Sequence, residues 1–408
     1  MNVLVLNGGS SSLKGLLTRL PDGPVPDDPP EPAWAARVDW GRRPGCADVR
    51  VTNSRGATDE RQIEVESPAA VLEPVLRTLW SGPAKAVGGP GDIHVVGHRV
   101  VHGGRELRET TRITPEVRKT IARLAEFAPE HNRLELEAIE AAGAVLGEQT
   151  PQVAVFDTAF HRTLPREAAV YPGPFGWLQE GIRRYGFHGI SHQYVSRRAA
   201  RFLGRDPAAL HLVTCHLGNG CSLAAVREGK SVDTTMGFTP LEGLMMGTRS
   251  GTLDPGILIY LVRQCGYRAE DLDRILNKES GLKGLSGVSG DMREIEDARA
   301  RGNDRAALAF DVFIHRLARE TGAMLASLDR LDALVFTGGI GENSAEVRRA
   351  ATARLRFPGV RLDSRKNAAA HPDADVAEPG SSTRVLVIHT NEDWEITREC
   401  ARLMKPGA

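Results

Sequence analysis

The sequence predicts an α/β protein of two domains. Three observations carry that prediction: the length, the apolar runs that stop abruptly at polar glycine turns, and the gap-free likeness of two such turns far apart in the chain. A chain of 408 residues exceeds what one hydrophobic core usually organises, so two domains of roughly 150 to 250 residues follow, with a cleft between them as the place for a ligand. Lys plus Arg and Asp plus Glu both total 52, and a net charge of zero supplies no field favouring nucleic acid or an anionic membrane. The five cysteines, Cys46, Cys215, Cys221, Cys265 and Cys400, are odd in number and contain no CxxC pair. That argues against a disulfide framework or a zinc ribbon and for a reducing cytoplasm. Met1-Asn2 leads straight into Val3, and no apolar run approaches the ~18 residues of a membrane span, so neither export nor insertion is expected.

Residues 3–6 read as a buried strand, because four apolar residues end at Asn7-Gly-Gly-Ser-Ser-Ser12, and a return strand is expected from Leu13. Residues 21–32 hold six prolines, which excludes helix or central strand and predicts an exposed loop without chemistry. Between Thr114 and Leu146 the pattern turns helical. Pro115 suits a first turn, and Leu124, Phe127, Leu134, Leu136, Ile139 and Val145 form an apolar face around a break near Pro129. A strand follows at residues 153–156. The strand at residues 212–215 runs into His216-Leu-Gly-Asn-Gly-Cys-Ser-Leu223, which can be laid over Asn7 to Leu13 without gaps: Gly8 matches Gly218, Ser12 matches Ser222 and Leu13 matches Leu223. Each half then starts with a strand, a tight polar turn and a return strand, as in a duplicated domain. A third unit comprises a strand at 333–336, a glycine turn at 337–343 and a helix from about Ser344. The last strand, at 385–388, ends at His389-Thr-Asn-Glu-Asp393 before a closing helix from about Trp394 to Met404.

A glycine and serine cluster at a strand end lets backbone N–H groups and hydroxyls approach phosphate oxygens, and Lys14 could add a charge. The same residues also make an ordinary hairpin turn with a solvated lysine. The order is not a P-loop, since GxxxxGK[ST] is absent, and the 337–343 turn lacks the third glycine of a dinucleotide fingerprint. Arg99 and Arg249 each stand among small residues that let a guanidinium reach into a cleft, where its planar fork pairs with carboxylate or phosphate; a surface role is the alternative. His188 and His192 have i, i+4 spacing without an HExxH glutamate, and Gly189 disfavours a helix there. Zinc ligands, satisfied structural histidines and phosphate-facing donors are three readings of the pair. Asp157 and Glu392 are carboxylates after strand ends, where open α/β sheets place their sites and where helix N-caps also occur.

Together these segments resemble the acetate kinase family. The likeness runs from Asn7 to Glu392 through NGGSSSLK (7–14), GHRVVHGG (97–104), VFDTAFH (155–161), RRYGFHGISH (183–192), HLGNGCSL (216–223), TPLEGLMMGTRSG (239–251), SGDMRE (289–294), TGGIGEN (337–343) and TNED (390–393). The resemblance implies the sugar-kinase, actin and heat-shock ATPase fold, with two duplicated actin-like (ribonuclease H-like) α/β domains clasping ATP, and a homodimer. An N-terminal acid-kinase domain at 1–155 plus about 394–408 and a nucleotide-binding domain at 156–393 are then expected. It implies reversible transfer of a phosphoryl group from ATP to acetate, giving acetyl phosphate and ADP.

Residue by residue, the resemblance implies that Asn7 and Glu392 hold Mg²⁺ or Mn²⁺ and that Ser12 and Lys14 lie near the ATP phosphates. His216, Leu217, Gly218, Asn219, Gly220, Asp291, Met292, Arg293, Gly339, Ile340, Gly341, Glu342 and Asn343 line the nucleotide. Arg99 holds the substrate carboxylate, with Val101, Phe187 and Pro240 around its methyl group. His188 and Arg249 stabilise the moving phosphoryl group, and Asp157 is the family's catalytic acid. A short carboxylic acid is already ionised at pH 7 and needs no general base, so orienting Arg99 or the metal's water suits Asp157 better.

Three positions depart from the family's usual pattern: Glu130 stands for a pocket leucine, Gly8 for a serine and Asp393 for a glutamate. Glu130 bears on whether acetate, propionate or another short acid is preferred. From a different class, an actin-like or chaperone-like ATPase would use the same fold without needing both Arg99 and Arg249.

Overall fold

In the computed structural model, which describes residues 1–9, 12–43, 45–64, 68–124, 129–355 and 359–404, the first apolar run becomes β1 (Asn2–Gly8) and the return strand β2 (Ser12–Arg19). The two pair antiparallel, Gly8 opposite Leu13 and Asn7 opposite Lys14. The meander continues through β3 (Trp34–Arg43), β4 (Cys46–Asn53) and β5 (Thr58–Glu64). In β4 burial alternates residue by residue, as expected of a sheet packed on one face. On the other side of β1 lie the parallel strands β6 (Val95–Val100) and β8 (Gln152–Phe156), with the short β7 (Thr111–Arg112) antiparallel at the edge. The sheet order is β5-β4-β3-β2-β1-β6-β8-β7.

A second sheet repeats the scheme. β9 (His211–Leu217), β10 (Cys221–Arg227) and β11 (Lys230–Thr234) form the antiparallel side, and β12 (Ala333–Thr337) and β14 (Arg384–Val387) run parallel to β9, with β13 (Ala374–Asp375) at the edge. Its order, β11-β10-β9-β12-β14-β13, places the first hairpin strand between its antiparallel partner and two parallel strands, as β1 is placed in the first sheet. The two hairpin turns differ in detail: Gly8 faces Leu13, whereas Leu217 faces Cys221.

The chain divides into two compact units, residues 1–159 with 391–408 and residues 160–390, which leaves Asp157 and Glu392 in the first. In the first unit Trp34 is fully buried among Leu4, Leu17, Val38 and Leu76, and its indole N–H donates to Thr78 Oγ1 at 3.1 Å. The helical stretch appears as Pro115–Leu124 and Pro129–Leu146; Phe127 lies outside the described residues. The proline-rich segment is an irregular, largely exposed loop. The closing helix is Glu392–Met404, two residues longer at its start than the sequence reading. It crosses β6 at Gly97, where an added Cβ would lie 2.6 Å from Cys400 Sγ and 2.7 Å from Ile396 Cγ2, so only glycine admits that approach.

In the second unit the helix Asp304–Leu325 buries Phe310, Phe313, Ile314 and Leu317. The expected glycine turn at 337–343 is instead a short helix, Gly338–Asn343, because once Gly338 takes φ 77° the chain closes helical bonds, ending in Ser344 N–H to Ile340 O at 2.9 Å. Ser344 then caps the helix Ala345–Thr352 through its hydroxyl. The apolar helix Pro255–Cys265 has no buried residue, and Ile257, Ile259, Tyr260 and Val262 are 45, 53, 59 and 49 % exposed. No helix among the described residues is long and apolar enough to cross a membrane.

Candidate active site

Parallel strands carry the side chains that follow them to one edge of a sheet, and in the first unit that edge gathers Asn7, Arg99 and Asp157. Asp157 accepts from Arg99 through both oxygens, Nη2 to Oδ2 at 2.6 Å and Nε to Oδ1 at 3.3 Å, while Arg99 Nη1 reaches Gly8 O at 3.4 Å. The pair is deeply set, with side-chain exposures of 15 and 1 %. Burial opposes the charge on Arg99, yet Asp157, Glu392 and Glu135 outweigh it and raise the guanidinium above its ordinary value. Asn7 donates its amide to Asp393 Oδ1 at 2.8 Å, a bond that fixes which way the carboxamide faces, and Lys14 stands exposed directly across the hairpin from Asn7. Ser12 closes the turn by accepting the Gly9 N–H at 2.7 Å through its carbonyl.

A helix beneath this edge supplies two side chains absent from the sequence reading. Glu135 accepts the Val101 N–H at 3.0 and 3.2 Å, and Asn132 bonds both the N–H and the carbonyl of His102 at 3.2 Å. Burial pushes the Glu135 carboxyl up to about 8, against the pull of Arg99 and the Val101 N–H. Asn132 and Glu135 stand one turn apart, in HNxxE at residues 131–135, on a helix that also carries Glu137 and Glu140. Val101 is buried; Glu130, the departure in the acid pocket, has a side chain outside the described part of the structure.

The second unit contains a cavity of about 520 Å³ lined by Gly218, Asn219, Gly290, Asp291, Met292, Arg293, Glu296, Gly339, Ile340, Asn343 and Ser344. Three separate motifs thus meet on one hollow, with Gly290, Glu296 and Ser344 added to those expected. His216, Leu217, Gly220, Gly341 and Glu342 are not on its walls. Glu342 accepts the N–H groups of Gly338 at 2.9 Å and Thr390 at 3.1 Å and lies 2.7 Å from His389 Nδ1. Although burial opposes it, these partners hold its carboxyl below the usual range, so Glu342 locks the helix start to the strand end.

Beside this hollow His188 precedes the helix Gly189–Phe202 in the left-handed region, φ 54°, an outlier for a residue with a Cβ, and its side chain makes no capping bond. Its Nδ1 lies 2.8 Å from Ser222 Oγ, which is also 2.8 Å from His192 Nε2, and His192 Nδ1 lies 2.7 Å from Thr214 Oγ1. Burial, with nearby His161 and His216, lowers His192 well below the ordinary histidine value, so it is a satisfied neutral ring. The His188 ring stacks on His216 with centroids 4.3 Å apart. A methyl on Gly220 would sit 3.2 Å from His188 Nε2 and 3.5 Å from Arg249 Nη1, so the histidine and arginine converge over that glycine. Arg249 donates to Pro240 O at 3.1 Å, and Phe187 is buried beside His188, its carbonyl 3.0 Å from His161 Nε2. Among the described residues no cluster of three or more His, Cys, Asp or Glu could hold a metal alone.

The chemistry available is that of anion recognition: a carboxylate-held guanidinium in one unit, and in the other a glycine-walled hollow with a histidine and an arginine at hand. Comparison with known proteins agrees. The Acetokinase family profile matches residues 2–398. Acetate kinase of Nostoc punctiforme is 54 % identical over 405 residues, 99 % of this chain and all of the relative. That of Gloeobacter violaceus is 56 % identical over 400 residues, 98 % of each. Among solved structures, Porphyromonas gingivalis acetate kinase superposes with a TM-score of 0.89 at 38 % identity, covering 99 % of this chain and all of that one. A propionate kinase from Francisella tularensis gives 0.88 at 36 %, covering 98 % of both. Matched along nearly its whole length by that profile, and sharing more than half its residues with full-length relatives, the chain belongs to the acetokinase family.

Proposed function

We propose that this protein is an acetate kinase that transfers the γ-phosphoryl group of ATP to acetate, giving acetyl phosphate and ADP, and that the reaction runs in both directions. The observation that carries the reading is Arg99, a partly buried guanidinium fixed by the buried Asp157 at the carboxyl edge of parallel strands and suited to bind a small carboxylate. Support comes from the curated relatives named acetate kinase at 51 to 56 % identity. Arg99 takes the carboxylate, and Val101, Phe187 and Pro240 surround the methyl group. The acid oxygen attacks the γ-phosphorus in line, one P–O bond forming as the bond to the ADP oxygen breaks. Acetate is ionised at neutral pH and needs no base. The obstacle is charge: two anions ~4 Å apart repel by about 4 kcal/mol at an effective dielectric of 20. His188 and Arg249 offset that repulsion as charge develops on the moving group. Asp157 keeps the Arg99 fork in place and is a positioning residue.

The nucleotide occupies the 520 Å³ hollow of the second unit, between Gly218–Asn219, Asp291–Arg293 and the wall of Gly339, Ile340 and Asn343. The oxygens of Asn7 and Glu392 suit a hard cation, since the Asn7 amide is spent on Asp393 and leaves its carbonyl oxygen as a donor. They would hold Mg²⁺ or Mn²⁺, which when bound shields the phosphate charge. We further propose a cytoplasmic homodimer in which a second copy covers the exposed face of the helix Pro255–Cys265. A second substrate reading, propionate, draws on the likeness to the Francisella propionate kinase.

The test is to incubate the protein with Mg-ATP and acetate, propionate, butyrate or no acid, trapping acyl phosphate with hydroxylamine. Hydroxamate strongest with acetate is expected. A maximum with propionate reassigns the substrate, and ATP hydrolysis without any hydroxamate overturns the kinase reading in favour of an ATPase.

A further inference from the structure

Residues 235–254, between β11 and the helix Pro255–Cys265, form neither helix nor strand, yet they carry Pro240 and Arg249. So long a segment without regular structure is uncommon in a compact domain unless it is functional, and its backbone groups need partners from outside a ladder. Tyr171, Arg184 and Glu242 supply them. Arg184 Nη1 donates to three successive carbonyls, Thr234 O at 3.1 Å, Thr235 O at 3.0 Å and Met236 O at 3.1 Å, and its Nη2 donates to Glu242 Oε1 at 2.7 Å. Glu242 Oε2 accepts the Tyr171 hydroxyl, which itself accepts the Phe238 N–H at 2.9 Å. The Arg184 guanidinium also stands 5.6 Å from the centre of the Tyr171 ring. Both ends of the span 234–242 are thus pinned to one charge-assisted pair. The closure is tight at Gly237, where an added Cβ would overlap Glu242 Oε2 and the Tyr171 oxygen.

We propose that this Tyr171–Glu242–Arg184 clamp sets the length of acid the protein accepts, by holding Pro240 as a fixed wall of the acid pocket. This rests on the acid-kinase reading above, which puts Pro240 and Phe187 around the methyl group. The clamp is tied to both. Pro240 lies inside the pinned span, and its carbonyl accepts Arg249 Nη1 at 3.1 Å. Arg184 opens the stretch that leads to Phe187 and His188, and there the N–H groups of Tyr185 and Gly186 donate to Gly237 O at 3.0 and 3.3 Å. All three clamp residues are positioning residues that act through Pro240. One methylene against a fixed apolar wall is discriminated about 10- to 200-fold, and a wall free to retreat gives that discrimination up.

The experiment measures kcat/KM for acetate, propionate and butyrate by hydroxamate formation in the wild type, Tyr171→Phe, Glu242→Gln and the double variant. Tyr171→Phe removes one oxygen and keeps the ring, and Glu242→Gln keeps the shape and removes the charge. In each single variant the ratio of kcat/KM for acetate over butyrate is expected to fall about tenfold, through KM for the acids, while KM for ATP stays in place. The double variant is expected to fall no further, because both changes open the same clamp. Losses that add in the double variant would assign the two residues separate effects and overturn the proposal. So does an unchanged ratio in folded variants, whatever happens to melting temperature, since a clamp serving stability alone lowers turnover with every acid alike. A wild type that takes all three acids equally overturns it as well. Should Glu242→Gln fail to fold, the ratio in Tyr171→Phe decides. Absence of acyl phosphate from the wild type with any acid would instead sink the acid-kinase reading, whereas wild-type turnover with ratios unmoved in the variants sinks only the clamp.

Discussion

Arg99 and Asp157 make the strongest demands at the scale of single residues. Arg99→Ala leaves the Asp157 carboxylate, 1 % exposed, without its bidentate partner, and breaking one side of a buried pair costs about 3–5 kcal/mol. Denaturant unfolding should show a loss of that order, together with loss of acid-dependent turnover. Asp157→Asn keeps the shape and removes the charge that steadies the fork. It should raise KM for acetate about tenfold by steady-state kinetics, and unchanged kinetics would remove any essential role for Asp157. Burial depresses His98 and His161 to about 4 against 6.5 in the unfolded chain. Between those values the unfolded state binds more protons, so the stability these rings contribute is complete above about 6.5 and is lost as pH falls toward 4. Melting temperature measured across that window should fall steadily. The motif residues of the candidate site were legible in the sequence because glycines and polar groups cluster at the ends of apolar runs. Glu135 was not, since a glutamate in a helix reads as a solvated face until the helix is seen to turn it under Val101.

Strands legible from sequence were β1, β8, β9, β12 and β14, whose continuous apolar runs end at turn residues, and the return strands β2 and β10, whereas the buried β6 was missed because Gly97, His98 and Arg99 interrupt its apolar run. β3 to β5 were passed over, although the alternation in Cys46–Asn53 was there to be counted. The segment 337–343 misled for a physical reason: a run of glycines reads as a turn, but only Gly338 needs the left-handed region and the rest close a helix. Gly338 has φ 77°, and an added Cβ would fall 2.8 Å from Leu217 O. Gly338→Ala should therefore shift the wall formed by Gly339, Ile340 and Asn343 and raise the Kd for ATP about tenfold, read by titration with a fluorescent nucleotide.

For the whole molecule, duplication was legible from two matching turns, and the common strand order of both sheets bears it out more firmly than three identical residues could. The proposed homodimer has no signal in the sequence beyond the resemblance, because an apolar helix looks the same in sequence whether a core or a second copy covers it. Ile257→Glu with Tyr260→Glu places charge on the exposed face of Pro255–Cys265, and light scattering should report a shift from dimer to monomer. The closing helix Glu392–Met404 has a further consequence, for synthesis. It belongs to the first unit, yet it leaves the ribosome only after all of residues 160–390. The first unit thus begins before the second and is completed after it. The groove over Gly97 waits for Ile396 and Cys400, and Asn7 waits for Asp393, so a nascent chain can assemble its second unit while the first still lacks its closing helix.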